Sequence, residues 1–220
     1  MIVKRVILKI LFWLIHFTSL FNTNLIHIFE SELQNIETIL DLGCGKNSIL
    51  GKINKRLKYT VGVDIFKDYI EISKKKNIHD EYMLLNILDI DSKIPSNSFD
   101  CVILMDVIEH LEKVDGINLI RKMEKIAKKK IIIFTPNGFL PQLEYHNNPY
   151  QNHKSGWHVK IFKKMNFKIY GINGLKFIRG ELAKIKLKPV DFWQPISIIS
   201  NLFVKYLPFY AFQLLCVKEI

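Results

Sequence analysis

The chain has 220 residues, 49% of them hydrophobic, which is enough for one well-packed domain with short additions but not for a second independent domain. Its three cysteines, Cys44, Cys101 and Cys216, are odd in number and lack C-x-x-C spacing, which argues against a disulfide framework or zinc knuckle and fits a reducing cytoplasm; no metal is expected. The formal charge of +11 permits contact with nucleic acid or an anionic membrane, but lysines such as Lys74-Lys75-Lys76 and Lys128-Lys129-Lys130 read as solvated faces of helical stretches, so a nucleic-acid partner is not expected.

Along the chain, Lys4-Arg5 precedes an apolar run from Val6 to Phe17 that Lys9 and His16 interrupt. The run is shorter than the roughly 18 residues a membrane span needs, and no A-x-A-like cleavage site follows it. A helix over 3–20 and another over 24–34 are predicted, making 1–35 an apolar helical extension. Residues 1–20 either pack on the domain as a lid, the favoured reading, or lie in a membrane interface as a peripheral anchor. Strand one is expected over 36–42, strand two over 59–64, a helix over 67–77, and strand three over 82–86. Phe99 to Met105 reads as strand four, Leu111 to Lys128 as its crossover helix, and Lys130 to Thr135 as strand five. Pro136 to Gly156 shows no period. Ser155 is a candidate N-cap for a helix over 157–165, followed by a strand over Phe167 to Ile172, a helix over 195–206 and a last strand over Ala211 to Lys218. Lys205 and Pro208 exclude a membrane span from Ile196 to Val217. Alternating strands and helices imply parallel βαβ units.

Strand one runs into Gly43-Cys44-Gly45, and strand two ends on Asp64, whose two oxygens can accept both hydroxyls of a ribose lying over the glycine turn. The pattern is a nucleoside cofactor cradle. A nicotinamide fingerprint wants a third glycine where this chain has Ser48. Asp41 sits badly beside a pyrophosphate but suits the cationic amino-acid end of a ligand.

Leu40-Asp41-Leu42-Gly43-Cys44-Gly45 resembles the first motif of class I S-adenosylmethionine-dependent methyltransferases, and Asp64 resembles the acid that ends their second strand. Asp89, the stretch from Ile94 to Met105, and Asp106-Val107-Ile108-Glu109-His110-Leu111 resemble the third-strand acid, fourth strand and following helix, so the resemblance covers roughly residues 36 to 136. It implies an α/β fold over 36–220, a Rossmann-like doubly wound sheet of about seven strands, mostly parallel, with the last strand antiparallel between the fifth and sixth. It also implies S-adenosylmethionine as cofactor, bound by Asp41, Gly43, Cys44, Gly45, Asp64, Ile65, Asp89, Ile90 and Met105. Asp89 is expected to meet the adenine, with a turn cap in Asp89-Ile90-Asp91-Ser92 as its alternative role.

The long segment from Pro136 to Trp157 follows strand five at the carboxyl edge, where ligands of such sheets sit, and a loop of that length is commonly functional. Tyr145, His146, Tyr150, Gln151 and Trp157 are expected to form the substrate wall, with His153 as the leading general base and His110 as the second candidate. His153 could instead tie the loop to a backbone carbonyl, and Trp157 could be a core anchor. Asn148-Pro149-Tyr150 resembles the Asn-Pro-Pro-Tyr motif of methyltransferases acting on planar amino groups, but it lies after strand five rather than four and lacks one proline. The expected reaction is methyl transfer to a hydroxyl, or an amine, of a small polar, sugar or lipid-linked acceptor. The alternatives are a non-catalytic cofactor-binding or membrane-associated scaffold and, behind it, an RNA methyltransferase or a nicotinamide-dependent oxidoreductase. Nothing in the sequence sets the oligomeric state.

Overall fold

The computed structural model of the protein describes residues 24–142 and 148–220. The helix expected over 3–20 lies outside the described residues, as do Tyr145 and His146. Helix α1 (Asn24–Glu32) leads into strands β1 (Thr38–Leu42) and β2 (Tyr59–Asp64), helix α2 (Lys67–Lys75) and strand β3 (Glu81–Leu84). Strand β4 (Phe99–Met105), helix α3 (Lys113–Ile126) and strand β5 (Ala127–Pro136) follow. The chain closes with helix α4 (Val159–Lys164), strand β6 (Lys168–Leu175), helices α5 (Val190–Ile199) and α6 (Asn201–Val204), and strand β7 (Ala211–Glu219).

The strands form one sheet in the order β3-β2-β1-β4-β5-β7-β6, parallel from β3 to β5 and antiparallel where β7 inserts between β5 and β6. This is the Rossmann-like methyltransferase topology that the motifs imply. Apolar residues cover both faces, which is why β4 and β5 read as near-continuous hydrophobic runs. Leu40, Val63, Val102, Leu104, Ile131 and Leu214 point to the side held by α3, Trp157 and Phe162. Ile39, Cys101, Ile103, Ile132, Leu215 and Val217 point to the side held by Ile28 and Phe29 of α1. On α3, Leu119, Ile120, Met123 and Ile126 repeat at helical spacing and are fully or almost fully buried, each contributing roughly 1.5–3 kcal/mol.

Several boundaries move for local reasons. Helix α3 stops at Ile126, two residues early, because Ala127 already pairs with Phe99 as the first residue of β5. The helix expected over 157–165 is the single element α4, whose N-cap is His158. Ser155 does not cap it; its Oγ accepts from Trp157 Nε1 at 2.9 Å. Strand β6 extends past a register shift between Ile172 and Leu175, where Asn173 and Gly174 take left-handed backbone angles. The late helix begins earlier, at Val190, and divides at Ser200 into α5 and α6.

Glu32 ties α1 to the far half of the sheet. Lys130 Nζ donates to its carboxylate at 3.0 Å, Lys168 Nζ at 3.1 Å and Tyr170 Oη at 2.5 Å. Lys130 also meets Glu219 at 3.0 Å, so β5 and β6 converge on one buried acid and β7 joins the cluster through Lys130. No helix among the described residues is long and apolar enough to cross a membrane.

Candidate active site at the carboxyl edge of the sheet

Immediately after β1 the chain turns across the end of β2. Gly43 and Cys44 both donate their backbone N–H to Val63 O, at 2.7 and 3.0 Å. Gly43 and Gly45 have φ of 69° and 57°, a region that glycine enters without penalty. A Cβ on Gly43 would lie 2.5 Å from Val107, whereas one on Gly45 would meet nothing within 4 Å. Gly45 thus keeps open the space in which a bound nucleoside would lie. Asp64 is fixed beside it, accepting from Gly45 N and Phe66 N at 2.8 Å each. Burial pushes the Asp64 carboxyl upward, against the lowering by the Phe66 and Gly45 N–H groups.

The acid of β1 has partners that the sequence reading did not anticipate. Asp41 is buried and accepts from Ser48 Oγ at 2.5 Å, while His79 Nε2 lies 3.0 Å from the same oxygen. Ser48 Oγ also accepts from Leu50 N at 3.1 Å, starting the short helical turn that follows. Gly62 on β2 leaves room for the imidazole, since a Cβ there would come within 2.9 Å of His79 Nδ1. The Cys44 thiol next to this pair is held protonated, its pKa pushed up by burial and then by the Asp41 and Asp64 charges.

A cavity of about 700 Å³ runs along this edge, within the size range of small-molecule sites. Asp41, Gly43, Cys44, Gly45, Asp64, Ile65, Met105, His110, Tyr150 and Gln151 all line it, which brings the predicted cofactor positions and part of the predicted substrate wall into one space. Lys46, Ser48, Tyr69, Asn86, Leu88, Asp106, Asn148 and Lys154 also line it and are not among the site residues expected from the sequence. Ser48 could have been found, because it stands where the dinucleotide pattern has glycine. His79 could not, because only strand pairing brings the approach to β3 under β1.

Four predicted residues fall elsewhere. Asp89 and Ile90 do not line the cavity. Asn86 caps a 3₁₀ turn over Ile87–Ser92, and its three-residue period sends Ile87 and Ile90 inward and leaves Asp89 in solvent. The wall near the end of β3 is formed instead by Asn86, Ile87 and Leu88. Trp157 is fully buried, donating Nε1 to Ile108 O at 3.2 Å and packing on Phe162, so it has no surface to offer a substrate. It is a core anchor. His153 stands behind the wall, with its Nδ1 2.6 Å from Leu140 O and its ring edge-on to His110 at 4.7 Å between centroids. Burial pushes its pKa down.

At the cavity floor, Asp106 leaves β4 with φ of 51°, a conformation that Asp tolerates better than most residues. Gln213 Nε2 donates to its Oδ1 at 3.0 Å. The Asp106 side chain reaches solvent through the cavity yet is crowded by protein on its other sides, and that crowding raises its pKa. Glu109 is 3% exposed, accepts from Thr135 Oγ1 at 2.9 Å, and takes Lys154 N and Ser155 N on its backbone carbonyl at 2.8 and 3.0 Å. Burial raises its carboxyl, and the charge of Asp106 adds to the effect. His110 is pushed down to about 4 by burial and by His153, so its imidazole is neutral at physiological pH.

Residues 40–134 match the family model described as Methyltransferase domain. An uncharacterized protein of Methanocaldococcus jannaschii is 27% identical over 168 residues, 72% of this chain and 69% of that protein. The ubiquinone biosynthesis O-methyltransferase of Pelagibacter ubique is 30% identical over 112 residues, 48% of this chain and 43% of that protein. Among solved structures, a SAM dependent methyltransferase from Archaeoglobus fulgidus has a TM-score of 0.55 at 19% identity, with 88% of this chain and 94% of that chain covered. The methyltransferase domain of bacterial CtHen1-C has a TM-score of 0.59 at 16% identity, with 91% and 98% covered. The match over residues 40–134 and the sheet order are both consistent with a class I S-adenosylmethionine-dependent methyltransferase domain. The open turn at Gly45, the pinned Asp64 and the buried Asp41 fit S-adenosylmethionine as the cofactor of such a domain.

Proposed function

We propose that the protein methylates a hydroxyl of a small polar or lipid-linked acceptor. The observation that carries this reading is that one cavity joins the glycine turn to a polar wall of Asp106, His110, Tyr150, Gln151 and Lys154. S-adenosylmethionine, which Gly45, Asp64 and Asp41 would hold, would supply an activated methyl group for transfer to the acceptor oxygen, the sulfur keeping the bonding pair. The chain's contribution is first alignment, since proximity and orientation are worth several kcal/mol of barrier. Tyr150 and Gln151 present a phenol and an amide to the acceptor, and Lys154 adds a cation. Asp106, with Oδ1 held by Gln213, keeps Oδ2 for the acceptor's hydroxyl, orients it and receives its proton. This role passes to Asp106 from His153, which does not reach the cavity. The O-methyltransferase name of the Pelagibacter relative supports oxygen as the acceptor atom.

The test is incubation with methyl-labelled S-adenosylmethionine and three separate pools: hydroxylated lipid and phenol extracts, nucleotide sugars, and total RNA. Label in a hydroxylated small molecule, reduced at least about 100-fold by Asp106→Asn with S-adenosylhomocysteine affinity unchanged, supports the reading. Label confined to RNA, or turnover indifferent to Asp106→Asn, overturns it.

A further inference from the structure

Glu109 and His110 come from the turn Ile108–His110 that follows β4, and His153 comes from the loop that follows β5. Each offers a ligand atom, and the three atoms lie within 4.8 Å of one another. The surroundings orient all three. His110 Nδ1 is 3.2 Å from Asn152 O and His153 Nδ1 is 2.6 Å from Leu140 O. An imidazole partnered in this way holds its proton on Nδ1 and keeps a lone pair on Nε2. That backbone contact is how histidine ligands are commonly set in metal centres. Thr135 occupies Oε2 of Glu109 and leaves Oε1. Among the described residues no lysine or arginine forms a salt bridge with Glu109, so its free Oε1 has no cationic side-chain partner.

We propose that Glu109, His110 and His153 bind one divalent cation of the Mn²⁺ to Zn²⁺ series, with open coordination positions toward the cavity. Ligand atoms sharing one ion at bonds of about 2.1 Å sit roughly 3–4 Å apart, so side-chain movements of about 1 Å close the set. Two imidazoles with one carboxylate favour that series over Mg²⁺ or Ca²⁺, which prefer oxygen ligands. His110 is the link to chemistry, because it lines the same cavity as Asp106 and Tyr150. An ion there takes the acceptor's oxygen as a further ligand and acidifies its hydroxyl, which eases proton loss to Asp106. This last step rests on the hydroxyl reading above; the binding site itself does not. No metal-ligand spacing is visible along the chain, since the ligands come from two separate loops.

The experiment uses the full chain, stripped with EDTA and titrated with Co²⁺ under visible absorption, with Mn²⁺ and Zn²⁺ as competitors. One Co²⁺ per chain is expected, and affinity falls at least about 10-fold in His153→Ala and in Glu109→Gln. Calorimetry with S-adenosylhomocysteine on the same variants checks that fold and cofactor site survive, with affinity kept within about twofold. A wild-type chain that gives no Co²⁺ spectrum, or affinity unchanged in both variants, overturns the site. Stoichiometric Co²⁺ binding with methyl transfer indifferent to EDTA overturns the activating role alone.

Discussion

Ser48 Oγ donates to Asp41 Oδ2 at 2.5 Å, so the residue standing where a dinucleotide fold has its third glycine secures the acid of the first motif. The same oxygen caps Leu50 N. A hydrogen bond to a buried charged group contributes about 1.5–3 kcal/mol. Ser48→Ala is expected to lower the urea midpoint by the equivalent of about 2 kcal/mol with an unchanged m-value, and to weaken S-adenosylhomocysteine binding as Asp41 loses its fixed position. A midpoint within error of wild type would show that His79 alone holds the acid.

Gly116 of α3 faces Trp157, and a Cβ there would lie 2.5 Å from the indole. Alanine in a helix interior gains about 1 kcal/mol over glycine, whereas overpacking a tight core costs about 1–3 kcal/mol. The indole is rigid, hydrogen-bonded to Ile108 O and packed on Phe162, so the steric cost wins. Gly116→Ala should lower the thermal midpoint. A raised midpoint would mean that Trp157 can shift and is not a fixed anchor.

Stability should fall at both ends of the pH scale through the Glu32 cluster. Burial alone would raise the Glu32 pKa, but hydrogen bonds from Tyr170, Lys130 and Lys168 hold it below its ordinary 4.5. Its contribution is therefore complete above about pH 4.5 and is lost as pH falls through the lower folded value. Lys130 is desolvated yet raised above 10.5 by Glu219 and Glu32, so its contribution is complete below about 10.5 and is lost as pH rises further. Glu32→Gln leaves the buried Lys130 with only the exposed Glu219 as an anionic partner and should cost about 3 kcal/mol at pH 7. The check is urea unfolding from pH 3 to 8. The difference between wild type and variant should shrink toward the acid end, and a constant difference would contradict the assignment.

The sheet was legible because its signals are local. Apolar runs ending in Gly43-Cys44-Gly45 or Asp64 mark where strands stop, and β4 falls over Phe99–Met105 as expected. The antiparallel place of β7 came from resemblance to a known family, since no periodicity encodes strand order. The contacts that depend on that order were not legible: Asp41 with His79, Asp106 with Gln213, and Glu109 with Thr135 join residues distant in sequence. Trp157 and His153 were misplaced for a related reason. Their residue types suit a ligand wall equally well, and only packing shows that one fills the core and the other faces Leu140.

Asp64 is the most direct test of the cofactor cradle. Calorimetry with S-adenosylhomocysteine should show one site per chain in the wild type. Asp64→Ala removes the acceptor that pins Gly45 N and that meets a ribose, and should weaken binding at least about 10-fold, a loss of about 1.4 kcal/mol or more. Equal affinity in the two proteins, or no binding by the wild type, would contradict the assignment of this edge as the S-adenosylmethionine site.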